Sequence, residues 1–288
     1  MTWLTLALLT ALVSATEAAW LKKRFSDLGF LEMAAFPFFY SLPLFALSLI
    51  FLETPILGKH FWLWFGLLMP LNLAGFLLHM RSIHLSPLSL TMPFLAFTPA
   101  FVILTSFLFL DEKLSLAGIS GITAIVAGGC LLGREHGDKS IAPSLRRMFR
   151  EKGPLCMLGA SLVYSVCSVI GKKLILLSSP LYFAGVFYTL FGMAFLLGLL
   201  LLKKIRLSTL LSRPGAGIVA GLIFYAHAAF HHLAIALTKA AYMMAIKRLN
   251  GIFSVGFGWI WFKETQMRFR LAGSVLMTAG AVVIALWG

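Results

Sequence analysis

The chain has 288 residues, 60% of them hydrophobic, with a mean hydropathy of +0.95 and only 12% charged. That charge content is about half the roughly 25% of a soluble domain, so the composition excludes a water-soluble fold and leaves no long polar stretch for a separate soluble domain. The net charge of +14 does not imply nucleic acid, because most basic residues gather in the loops of one face, where they set membrane topology.

Taken in order, ten apolar spans are predicted, at 2–21, 30–52, 61–83, 86–110, 115–133, 154–177, 180–202, 215–237, 239–262 and 267–287. Each is close to the ~20 residues that cross a hydrocarbon core. The expected fold class is therefore an all-α integral membrane protein of ten transmembrane helices. Met1-Thr2-Trp3 has no basic n-region, and Lys22-Lys23-Arg24 follow the first span. This reads as a retained first helix whose C-terminal end stays in the cytoplasm. Pro37, Pro43, Pro93 and Pro99 are expected to bend the second and fourth helices. Cys130, Cys156 and Cys167 show no paired spacing for metal or disulfide chemistry and read as packing residues.

The chain also repeats itself. An offset of 152 carries His79 onto His231, Glu112 onto Glu264, Gly121 onto Gly273 and Gly128 onto Gly280. Phe39-Tyr40-Ser41-Leu42 returns as Phe187-Tyr188-Thr189-Leu190, and Lys22-Lys23 as Lys172-Lys173. This predicts a first five-helix repeat over 1–133, a cytoplasmic linker over 134–153 and a second repeat over 154–288. Five is odd, so consecutive repeats insert with opposite orientation. Inverted repeats place a substrate site near the midplane and move by rocking one half against the other. One face carries 17 Lys and Arg and the face holding both termini carries 5. The bias predicts both termini outside the cytoplasm of an inner (cell) membrane.

Several motifs resemble the drug/metabolite transporter superfamily, EamA type. These are Ser86-Pro87-Leu88-Ser89, Phe109-Leu110-Asp111-Glu112-Lys113, Thr238-Lys239-Ala240-Ala241, Phe262-Lys263-Glu264 and the glycine-bearing last helix of each half. The resemblance covers nearly the whole chain and implies a ten-helix secondary transporter. Its recurrent Glu at the end of each fourth helix matches Glu112 and Glu264. Here both are read as interface residues that hold turns. Ala15-Thr16-Glu17-Ala18-Ala19 with Lys22 and Ser26 loosely resembles the first helix of the small multidrug-resistance transporters. Ala245-Ile246-Lys247-Arg248-Leu249-Asn250-Gly251 resembles the ninth helix of plastid phosphate and nucleotide-sugar carriers. In those carriers the Lys-Arg pair grips phosphate, and a further Lys sits in the fourth helix. This chain has none between Leu88 and Leu110. Ten-helix members are usually described with both termini in the cytoplasm, opposite to the charge bias here.

Lys247 and Arg248 stand inside an otherwise apolar span, where an unpaired charge costs on the order of 2.5–3.5 kcal/mol. They are read as an anion clamp, against a structural tie to backbone carbonyls or to Glu17. Glu17 could take up a proton, bind a cationic group or neutralise the clamp. His79 and His231, as repeat mates, are expected to line the cavity with His227, one turn before His231, and Asn72, two turns before His79. Tyr40 and Tyr188 are repeat mates that could face the substrate. Tyr164, Tyr225, Tyr242 and Asn250 are weaker candidates. No metal, cofactor or enzymatic centre is expected, since no nucleophile–base pair, zinc signature or phosphate loop is present in the sequence. The expected partners are a small-molecule substrate and the lipid bilayer, with the chain acting as monomer or homodimer. The leading expectation is transport of a small polar metabolite, most readily anionic, by exchange or with protons. The alternative is proton-coupled export of amines, amino acids or drugs through Glu17.

Overall fold

A computed structural model describes residues 2–101, 115–132, 134, 150–238 and 240–287. They form helices: α1 (Trp3–Phe25), α2 (Phe30–Phe51), α3 (Phe61–Leu85), α4 (Leu88–Thr91), α5 (Leu116–Leu132), α6 (Lys152–Leu176), α7 (Pro180–Leu201), α8 (Leu207–Leu211), α9 (Pro214–Leu237), α10 (Ala240–Lys247), α11 (Asn250–Phe262) and α12 (Met267–Trp287). Among the described residues there is no strand, and seven helices are long and apolar enough to cross a membrane. Helices satisfy every backbone group within one segment, as a hydrocarbon environment demands. Local chemistry sets several ends: Pro180 and Pro214 start α7 and α9, where no amide donor is needed. Glu32 in the first turn of α2 accepts from Gly29 N at 3.1 Å.

The fourth and ninth spans depart from the uninterrupted helices expected. After α4 the chain winds as a 3-10 helix over Met92–Ala96, with Pro93 at its start. The ninth span breaks between α10 and α11, where Leu249 N bonds Ile246 O and Gly251 N bonds Arg248 O, both at 3.0 Å. The two irregular turns, 92–96 and 247–249, fall at nearly the same register under the 152-residue offset and meet in space. A Cβ on Gly251 would stand 2.9 Å from Pro93 Cα. Glu112 and most of the expected linker lie outside the described residues.

Packing joins the two parts of the chain through exchanged partners. α1 lies on α9 and α3 on α6, while α2 meets α7 and α5 meets α12. Lys22 Nζ donates to Ile83 O at 2.8 Å and to Ser86 O, closing the end of α3. Lys172 Nζ, 150 residues on, donates to Ile235 O and, at 3.1 Å, to Thr238 O, closing the end of α9. Each ammonium serves carbonyls that a helix C-terminus leaves orphaned and complements its dipole. The α5–α12 seam is equally reciprocal. A Cβ on Gly128 would stand 2.6 Å from Gly273 O, and one on Gly273 the same distance from Gly128 O. Gly121 and Gly280 repeat the arrangement. Leu8, Leu12, Val166, Val169, Leu222, Ile260 and Val275 are among the large apolar residues left on the outside, the surface a lipid-solvated bundle requires.

Candidate functional site

Where α1, α3, α6, α7, α9 and the α10–α11 break converge, the bundle encloses a cavity of about 180 Å³. That is many times the ~10–15 Å³ that admits one water. Its cations come from the break. Lys247 is the last residue of α10, and Arg248 follows it in the turn. Arg248 is only 3% exposed. Its Nε donates to Met244 O at 3.2 Å, and an Nη lies 3.8 Å from Met244 Sδ. Lys247 Nζ sits 3.4 Å from His231 Nδ1. Among the described residues, neither cation has a carboxylate within salt-bridge distance.

The acid of the cavity stands across from them on α1. Glu17 is 7% exposed, and its Oε2 is 2.6 Å from His227 Nδ1 on α9. The sequence offered Lys247 or Arg248 as the ion partner of Glu17; its contact is instead to His227. The α9 histidines have distinct tasks. His227 meets Glu17, His231 meets Lys247, and His232 donates its Nδ1–H to Ala228 O at 2.7 Å. On α3, His79 Nδ1 is 3.5 Å from the Tyr164 hydroxyl, while its buried Nε2 has no partner among the described residues. Asn250 Nδ2 donates to Ser14 Oγ at 3.3 Å, tying α11 to α1 one turn before Glu17. Among the described residues, no group of three or more His, Cys, Asp or Glu is arranged to hold a metal.

The opposite wall is aromatic. Phe38 packs on Phe224 at 4.8 Å and on Phe191 at 5.3 Å between ring centroids. Tyr188 meets Phe224 at 5.1 Å and Phe187 meets Phe191 at 5.4 Å. The cavity reaches Lys172 and Ile175 at the end of α6, Ile235 at the end of α9 and Phe183 at the start of α7. Outside the cavity lining, a polar knot stands at the start of α4. Glu264 Oε1 accepts from Leu88 N at 2.9 Å. Its Oε2 accepts from Ser89 N at 3.2 Å, from Ser89 Oγ, and from Arg270 at 3.0 Å. Glu264 thus caps α4 from a distant part of the chain, a more specific task than the turn-holding expected of it.

Lys247, Arg248, His231, His79, His227, Asn72, Tyr188 and Glu17 all line the cavity. Tyr40 does not. Its hydroxyl donates to Leu210 O at 3.0 Å, and its ring and backbone lie against Gly217 and Gly221 of α9. The repeat relates Tyr40 and Tyr188 in sequence, but only Tyr188 is rotated inward.

The EamA-like transporter family matches residues 1–134, so this stretch is EamA-like in sequence. Protein LicB of Haemophilus influenzae is 24% identical over 216 residues, covering 74% of this chain and 70% of its own. A solved crystal structure superposes with a TM-score of 0.59 over 97% of this chain and 99% of its own, at 16% identity, which shows a shared fold. The described residues carry seven helices long and apolar enough to cross a membrane, and the first part of the chain matches a transporter family. The EamA-like part supplies Glu17, Asn72 and His79, and the remainder supplies the other lining residues.

The sequence left His232, Ser14, Lys172 and the phenylalanines of the aromatic wall out of the candidate set. Ser14 stands three residues before Glu17, so it shares that helix face. That spacing was the available signal. Lys172 carried none beyond its match to Lys22, because a lysine near a span end ordinarily snorkels to the surface.

Proposed function

We propose that this protein is a secondary transporter that moves a small polar anionic metabolite, phosphorylated or carboxylate, by alternating access. The observation that carries the reading is the charge balance of the cavity. Two buried cations, Lys247 and Arg248, have no carboxylate partner among the described residues, and the nearby acid, Glu17, is engaged by His227. Uncompensated cations at membrane depth mark an anion's path, and guanidinium beside ammonium suits carboxylate or phosphate oxygens.

The mechanism rests on two inverted five-helix repeats. Support comes from the reciprocal contacts: Lys22 and Lys172 closing equivalent helix ends, and the Gly128–Gly273 and Gly121–Gly280 pairs. Broken helices at a repeat interface are the usual setting for a transporter site, and the irregular turns at 92–96 and 247–249 fit that setting. From the Lys/Arg bias, the cationic face is cytoplasmic and both termini lie outside.

The test is counterflow of labelled phosphorylated and carboxylate metabolites in liposomes. Lys247→Ala and Arg248→Ala are each expected to abolish it, and unchanged counterflow in both refutes the clamp. A second reading, proton-coupled export of an amine or drug, is favoured by the aromatic wall facing Glu17, a cation-binding combination. Glu17→Gln retaining full proton-coupled amine export would refute it.

A further inference from the structure

We infer that His231 is the seat of a proton that binds together with the transported anion. The inference rests on the anion reading above and assigns its coupling site. The carrying observation is the 3.4 Å contact between Lys247 Nζ and His231 Nδ1. An ammonium has no lone pair. With Lys247 charged, Nδ1 must accept, which places the imidazole proton on Nε2 and leaves His231 neutral. A second proton on His231 would face Lys247 cation to cation, with buried Arg248 next in the chain and no carboxylate within salt-bridge distance of either cation among the described residues. An anion seated on Lys247 and Arg248 removes that opposition and accepts from the new Nδ1–H. Anion and proton then each favour the other's binding, and the linkage is reciprocal.

The other histidines are placed differently. His227 Nδ1 is held by Glu17 and His232 Nδ1 by Ala228 O. His79 approaches the Tyr164 hydroxyl from α3. The remaining titratable groups around the cavity are Cys167 and Lys172 on α6 and Tyr188 on α7. α2 brings Tyr40 against α9, outside the cavity and bonded to Leu210 O. Glu17 is the one acid among the lining residues, and it faces His227, so it does not offset a proton on His231 directly. Coupling by this route takes the proton from water and returns it when the anion leaves, with no bond made or broken elsewhere.

The experiment is isothermal titration calorimetry of the purified full-length protein in detergent. Its probes are sulfate and lactate, anions that stay fully ionised between pH 5.5 and 8. Affinity for both is expected to rise as pH falls, approaching tenfold per pH unit at its steepest, and two buffers of different protonation enthalpy should report uptake of up to one proton per anion. In His231→Gln, anions still bind and the uptake disappears. Tyr40→Phe, outside the cavity, keeps both. Binding that is pH-independent in the unmodified protein, or uptake that survives in His231→Gln, overturns the inference and leaves the anion reading standing. Failure of both anions to bind at any pH overturns both.

Discussion

The α5–α12 seam makes a quantitative demand on Gly128. An added methyl would sit 2.6 Å from Gly273 O and 2.9 Å from Met277 N. Both are backbone atoms of α12 and cannot rotate away. Restoring an ordinary contact of about 3.4 Å requires the helices to part by about 0.8 Å, and a gap of that size forfeits roughly a quarter to a half of each dispersion contact. At about 0.1–0.2 kcal/mol per contact, tens of contacts along the seam give a loss of ~1–3 kcal/mol, the usual range for overpacking. The same change at Gly66, whose Cβ would meet nothing within 4 Å, keeps only the helix-propensity gain of about 0.8–1 kcal/mol. Gly128→Ala should therefore lower the midpoint of thermal unfolding in detergent and Gly66→Ala should raise it. Equal midpoints for the two variants would refute the close approach of α5 and α12, and with it the reciprocal glycine seam.

Glu264→Ala should destabilise by about 3–5 kcal/mol, the scale for breaking a buried ion pair, because Leu88 N, Ser89 N and Arg270 all lose their carboxylate. Glu264→Gln, which keeps an acceptor, should lose clearly less in the same unfolding assay. Lys22→Met and Lys172→Met should cost similar amounts, about 1.5–3 kcal/mol each as charged hydrogen bonds, and a loss at only one would contradict their equivalence. At the surface, Arg213 donates to Asp27 Oδ1 at 2.8 Å, and that hydrogen bond holds the Asp27 carboxyl below its ordinary range. A depressed carboxylate contributes stability that is present above its unfolded value near 4 and lost as pH falls through the lower folded value. The pair is exposed, so Asp27→Asn should cost only ~0.2–1 kcal/mol at pH 7. The gap to wild type should shrink below pH 4 and in high salt.

The apolar spans were legible because lipid solvation requires about 20 apolar residues in a row, and the glycine seam was legible because the repeat marked Gly121, Gly128, Gly273 and Gly280 together. What the sequence hid was rotation about helix axes. A span apolar on every side has no polar stripe to show which face looks inward, so Tyr40 and Tyr188 were indistinguishable. The same gap concealed His232, which follows His231 by about 100° around α9 and still reaches the cavity. The break after Lys247 was concealed for another reason. No proline marks it, and the turn-prone Asn250-Gly251 pair that follows lies inside a stretch apolar enough to read as one continuous span; the backbone there is held by tertiary partners such as Thr278, whose hydroxyl donates to Arg248 O at 3.4 Å. Glu264 was visible as a recurrent acid, but its role as a cap depends on the distant start of α4, which local spacing cannot show.

The repeat fails at the partners of Glu264. Glu264, Ser89 and Arg270 form a cluster of three polar groups in contact. At the 152-residue offset, Ser89 corresponds to Ala241 and Arg270 to Gly118, neither of which can donate a side-chain hydrogen bond. Glu264 corresponds to Glu112, which lies outside the described residues. Two of the three partners needed for an equivalent knot are thus absent by sequence at the repeat-related positions. A conformational equilibrium shifts only through interactions that differ between its states, and a difference of ~2.7 kcal/mol already favours one state about a hundredfold. In the proposed alternating-access cycle, the bonds of this knot are among the interactions that would differ between the two states. Lys247, Arg248 and Glu17 have no counterpart in the repeat, whereas His231 keeps its mate in His79. In the proposed cycle, the repeat would supply the two alternatives and the residues that violate it would set their relative populations.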